Sequence, residues 1–159
     1  MIKAVMVMNT QGKPRLAKFY DYEVSLALPS SLSSRAENVS NFVEADAIFG
    51  LDSRLVYKHY ATLYFVFVFD SSENELAMLD LIQVFVETLD KCFKNVCELD
   101  IVFNYGKMQT ILDEIVFGGQ VLETSSAEVM KVVEEISKLE AASNAITFVP
   151  KTVSNWRGR

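Results

Sequence analysis

The block Arg54–Asp100, RLVYKHYATLYFVFVFDSSENELAMLDLIQVFVETLDKCFKNVCELD, constrains the fold more than any other part of this chain. Leu55–Tyr60 alternates in polarity, and Thr62–Phe69 follows as a run that is apolar on both faces. Such a run reads as a strand covered on both sides. Ser72 and Glu75 then have the spacing of a capping box, which predicts a helix start. Leu76, Leu79, Ile82, Val86, Leu89, Phe93 and Val96 recur every three or four residues, with Leu81, Val84, Phe85 and Cys92 widening the stripe. An apolar stripe of this kind has to be laid against a sheet or another helix.

The rest of the chain supplies the remaining layers. Ile2–Met8 is apolar on both faces, Asn9-Thr10-Gln11-Gly12 carries turn chemistry, and Arg15–Tyr20 alternates, so a hairpin is expected. Within it Leu16, Lys18 and Tyr20 share a face. Tyr22–Arg35 has Pro29, five serines and no clean period. Ala36–Phe49 reads equally as a helix end or a strand, and Leu99–Phe103 as a short strand or extended link. Met108, Ile111, Leu112, Ile115 and Val116 predict a second helix ended by Gly118-Gly119. A third opens with the capping-box pair Ser125 and Glu128 and carries Val129, Val132, Val133, Ile136 and Leu139. Antiparallel strands with helices added afterwards describe one α+β domain over residues 1–140, with a flexible tail at 141–159.

Composition narrows the function. The 159 residues are 50% hydrophobic and 23% charged, with a net charge of −6. This balance fits a globular chain with apolar surface to spare for a partner. It disfavours nucleic acid and unaided binding to anionic lipid. Cys92 and Cys97 are not on one helical face and His59 is the single histidine, so no metal site is expected and both thiols read as free and buried. No signal peptide is legible, and Ala61–Phe69 is too short to span a bilayer, so the chain reads as cytosolic.

Catalytic chemistry finds no foothold. Nucleophilic catalysis needs a base in contact with a nucleophile and an orienting group, and His59, inside YKHY on an alternating strand, reads instead as a half-buried strand histidine. Gly12-Lys13 and Gly106-Lys107 lack the phosphate-loop pattern. Asp113-Glu114 and Glu134-Glu135 sit opposite apolar helix faces and read as solvated. Tyr57, Tyr60, Tyr64, Phe65, Phe67 and Phe69 read as core, because base stacking normally comes with a basic groove. No catalytic residue and no cofactor are expected.

GKPRLAKFY (Gly12–Tyr20), YKHYATLYF (Tyr57–Phe65), NVCELD (Asn95–Asp100) and LDEIVFGGQVLETS (Leu112–Ser125) occur in the order seen in the small (sigma) chains of clathrin-associated adaptor complexes. The resemblance covers most of residues 1–140. Within that family, TLYFVFVFDSSENELAMLDLIQVFVETLDKCF looks most like the sigma subunit of the third adaptor complex, and the C-terminal tail is similar to plant versions.

The resemblance implies a longin-like fold: a five-stranded, mostly antiparallel sheet between helices. It implies a heterotetramer in which the sigma chain nests in a large delta-type chain beside a beta-type and a medium chain. Such complexes are peripheral on Golgi, endosome and vesicle membranes and sort transmembrane cargo towards the vacuole or lysosome. In related sigma chains an apolar pocket receives the paired leucines of acidic dileucine signals. The matching positions here are Ala61, Leu63, Val86, Asn95, Val96 and Ile101, with Arg15 near the acidic position of the signal. The same residue types also suit ordinary sheet and helix core. The alternative reading is another longin-type trafficking module, such as the small chain of the retrograde Golgi coat.

One departure stands out. Where the family carries a longer charged helix, this chain has EVSLALPSSLSSRA. Pro29 is not tolerated deep inside a helix, so the first helix is expected to be cut to about two turns or lost.

Overall fold

The computed structural model describes residues 1–21, 42–44 and 49–147. Five strands form one sheet: β1 (Ile2–Asn9), β2 (Pro14–Phe19), β3 (Phe42–Glu44), β4 (Arg54–Tyr60) and β5 (Leu63–Phe69). Their spatial order is β2-β1-β5-β4-β3, and every neighbouring pair is antiparallel. The two strands that are apolar on both faces, β1 and β5, therefore lie side by side inside the sheet. Asn9 closes the first hairpin, its Oδ1 accepting the amides of Gln11 and Lys13 at 3.0 and 2.9 Å.

Alternation sorts side chains between two cores. Phe65, Phe67 and Phe69 join Val5, Val7, Leu16 and Val56 on the face that meets the helices. Val66 and Val68 join Ala4, Met6, Met8, Leu55, Tyr57 and Phe49 on the other. Ile2 breaks the alternation and belongs with the helix side, because the β1–β5 register shifts between Ile2 and Ala4. A bulge of this kind turns the following side chains to the opposite face.

Helix α1 (Glu75–Phe93) lies against β4 and β5. Its N-cap is Asn74 and not the expected Ser72: the Asn74 Oδ1 accepts the amides of Leu76 and Ala77. Ser72 instead turns back to Asp70, whose carboxylate accepts its amide at 3.0 Å. The expected stripe is rotated accordingly. Met78, Leu81, Ile82, Phe85, Val86 and Leu89 are buried, whereas Leu76 is 66% exposed. The Phe85 ring meets Phe65 edge-on at 5.8 Å, a favourable aromatic geometry.

Leu99–Phe103 is helical, not extended: α2 spans Glu98–Phe103 and packs against β2. The Asp100 carboxylate caps it by accepting the Cys97 amide at 2.9 Å. Helix α3 (Tyr105–Ile115) follows and is joined to the sheet edge by Lys18, which pairs with Asp113. The Tyr20 hydroxyl donates to the Val116 carbonyl at 3.2 Å, and burial, aided by Asp113, pushes that phenol well above its usual range.

Gly118-Gly119 does not cap α3. The helix stops at Ile115, and the glycines form the two-residue turn of a small hairpin between β6 (Val116–Phe117) and β7 (Gln120–Val121). Their φ values of 58° and 79° suit the primed turn that such hairpins favour. A Cβ on Gly119 would lie 2.6 Å from the Ile2 carbonyl oxygen, so the close approach to β1 also requires glycine.

Helix α4 (Ser126–Thr147) packs on α1 and α3. It begins directly after Ser125, whose carbonyl accepts the Val129 amide, while Glu123 accepts the amides of Thr124 and Ser125. Residues 141–147, expected in the tail, are part of this helix. The remaining tail residues and the expected shortening over residues 22–35 lie outside the described residues.

Candidate dileucine site

Four of the expected pocket residues are buried in the same core. Leu63 opens β5, Val86 lies on the sheet side of α1, Val96 follows that helix, and Ile101 is on α2. They belong to one core cluster, and none is more than 2% exposed. Leu16, Val7, Phe65 and Leu89 are members of the same cluster. The apolar residues of the expected site are thus packed within the core.

Ala61 and Asn95 lie at the rim and are exposed. Ala61 is the first residue of the β4–β5 turn with φ 52°, a position that favours glycine. Asn95 has φ 75° directly after Lys94 at φ 53°, so the chain leaves α1 through two consecutive left-handed residues. Such backbone costs about 1–2 kcal/mol per residue outside glycine, less for asparagine. Asp90 holds this exit. Its backbone carbonyl accepts the Lys94 amide at 2.8 Å, its carboxylate accepts the Val96 amide at 3.0 Å, and the Tyr60 hydroxyl donates to the same carboxylate. The hydrogen bond to Asp90 raises the Tyr60 phenol above its usual range. Neither Asp90 nor Tyr60 stands out in the sequence, because their contact joins a strand end to a helix end 30 positions away.

Arg15, the charged residue of the expected site, is on β2. Its Nε donates to the Glu98 carboxylate at 2.6 Å and its Nη2 pairs with the same oxygen. Asn9 adds a third contact, its Nδ2 donating to that oxygen at 3.3 Å.

Two sequence expectations about other side chains are corrected. His59 is exposed rather than half-buried, and its ring stacks on Tyr64 at 4.5 Å. Cys97 is exposed rather than buried, whereas Cys92 is half-buried and its thiol is pushed up chiefly by that burial. Among the described residues no helix is long and apolar enough to cross a membrane.

The family model for the clathrin adaptor complex small chain matches residues 1–140. The AP-3 complex subunit sigma of Arabidopsis thaliana is 78% identical, with all of both chains covered. That alignment spans 166 positions against 159 residues, so this chain carries seven gap positions in it. The AP-3 complex subunit sigma-2 of Homo sapiens is 48% identical, covering 94% of this chain and 82% of the human one. A chain in a homology model of the full-length AP-3 complex, in a stretched open conformation, superposes with a TM-score of 0.67 at 37% identity, covering 91% of this chain and 98% of that one. The antiparallel sheet with its helices thus matches the longin-like small subunits of adaptor complexes. With residues 1–140 matched and AP-3 sigma chains among its relatives, the chain belongs to the clathrin adaptor complex small chain family.

Proposed function

We propose that this chain is the sigma subunit of a heterotetrameric AP-3-type adaptor, beside a large delta-type, a beta-type and a medium chain. The carrying observation is the end-to-end 78% identity to a plant AP-3 sigma subunit. The adaptor domain is residues 1–140, with helix α4 carrying on to Thr147. The complex works as a peripheral coat on Golgi, endosome and vesicle membranes and sorts transmembrane cargo towards the vacuole or lysosome. The role is one of scaffold and recognition, not catalysis.

Within that assembly the sigma chain contributes to binding acidic dileucine signals. Leu63, Val86, Val96 and Ile101 take the leucines, Ala61 and Asn95 form the rim, and Arg15 meets the signal's acid. Burying two leucines contributes roughly 3–6 kcal/mol. Ordering the peptide subtracts from this, as does separating side chains that now fill the space themselves. A partly exposed pair with Arg15 adds about 0–1 kcal/mol. Retention of cargo therefore depends on simultaneous membrane and cargo contacts, which raise the effective concentration.

Co-expression with the trunk of the delta-type large chain, followed by size-exclusion chromatography, tests the assignment. The expected result is a stoichiometric complex. A folded chain that ignores this trunk and captures another adaptor's large chain overturns it.

A further inference from the structure

The guanidinium that should greet an acidic signal is already occupied. Glu98 takes the Nε and Nη2 side of Arg15. The acid is held there from several directions. It is the first residue of α2, where a negative charge suits the helix terminus. Ile101, one turn further on, is fully buried and anchors the helix. Asn9 is only 6% exposed and is fixed by the turn amides it accepts, so its amide is aimed at Glu98 from a rigid base. At the same time the Arg15 and Glu98 side chains remain 24% and 30% exposed, so a ligand arriving from solvent can reach the pair.

We propose that Glu98 is a specificity-determining residue of the dileucine site, an internal carboxylate that a signal's own acid must displace from Arg15. The inference rests on the dileucine reading given above. An incoming acid then exchanges one carboxylate for another instead of finding a free cation. Its gain is the difference between two similar ion pairs, which is small for groups in contact with water. Binding is thus weighted towards the leucines. A single acid discriminates poorly unless Glu98 is moved or neutralised. Asn9 adds to the bias, because displacing Glu98 also leaves the Asn9 amide without that acceptor.

The test uses the complex assembled with the large chain and two fluorescent peptides. One carries paired leucines and an upstream glutamate, and its twin carries glutamine there. In anisotropy titrations, Glu98→Gln should tighten the acidic peptide about fivefold, the scale of one partly exposed ion pair. The glutamine twin should be unmoved. Glu98→Asp, with its shorter reach to Arg15, should give an intermediate gain and serves if the glutamine variant does not assemble. In an Arg15→Gln background, Glu98→Gln should change neither peptide. Equal shifts for both peptides, no shift, or weaker binding of the acidic peptide would overturn the role of Glu98. If neither peptide binds the wild type or any variant, the dileucine reading itself fails, and this inference with it.

Discussion

Helices α1 and α4 are both long, both carry apolar residues at helical spacing, and end in different surroundings. The 19 residues of α1 lie across β4 and β5 and bury Met78, Leu81, Ile82, Phe85, Val86 and Leu89. The 22 residues of α4 bury Val129 and Val133 in its first half, while Leu139 is 70% exposed and residues 141–145 are exposed. α1 meets a row of phenylalanines on a sheet, whereas α4 rests on other helices in a second layer. The lesson is that an apolar period reveals that a face exists and says nothing of what covers it.

Substitutions along the two helices can break that contrast, beginning with its centre. Phe85→Ala should cost about 3–5 kcal/mol, because a fully buried ring leaves a cavity beside Phe65. Urea unfolding that registers less than 1 kcal/mol would mean that α1 is not the organising helix. Val133→Ala removes two buried methyl equivalents from α4 and should cost about 1.6 kcal/mol by the same measurement. A loss matching that of Phe85→Ala would erase the difference between the helices.

The helix starts sharpen the comparison. Asn74→Ala deletes the acceptor for two α1 amides and should cost about 1 kcal/mol. Ser72→Ala, at the position expected from the sequence, should leave the α1 start unchanged, as hydrogen exchange at Leu76 and Ala77 would show.

Tyr20 ties the residue that follows α3, the helix on which α4 packs, back to the sheet through its bond to the Val116 carbonyl. Tyr20→Phe should cost about 0.5–1.5 kcal/mol and change the alkaline limb. The folded phenol titrates above the ordinary value of 10.0, so both states are neutral below that pH. As pH rises past it, the unfolded chain ionises first and stability falls until the folded pKa is passed. Pulse proteolysis across that range should show a fall in wild type that Tyr20→Phe lessens. The smallest effect belongs to Leu139→Ser, within about 0.5 kcal/mol for the isolated chain. A larger loss in thermal unfolding would show that the second half of α4 is covered after all.

Much of the architecture was legible. Ile2–Met8 and Thr62–Phe69 announced themselves as inner strands because both faces are apolar, and α1 by its period. The errors share a cause. Ser72 and Asn74 are both good caps, and the choice was made by Asp70, which engages Ser72. ELDIVF is too short to show a period, and it forms α2 because Asp100 caps Cys97 and Ile101 docks into the core. Gly118-Gly119 suits a helix cap or a hairpin turn equally, and the second was selected by the close passage of Ile2. At the candidate site the apolar members were named from the family resemblance, since their types alone also suit ordinary core. The partner of Arg15 could not, since Glu98 lies 83 positions away.

By itself the sequence determined the class of the fold, the inner strands, the principal helix and the family, because these follow from short-range patterns and residue order. Tertiary structure alone decided that Ile2 joins the helix-side core, that Leu63, Val86, Val96 and Ile101 are buried in that same core, and that Arg15 is met by Glu98. It also decided how little of α4 is covered. Those outcomes depend on which distant segment returns to a given surface, and periodicity in a single segment carries no record of that.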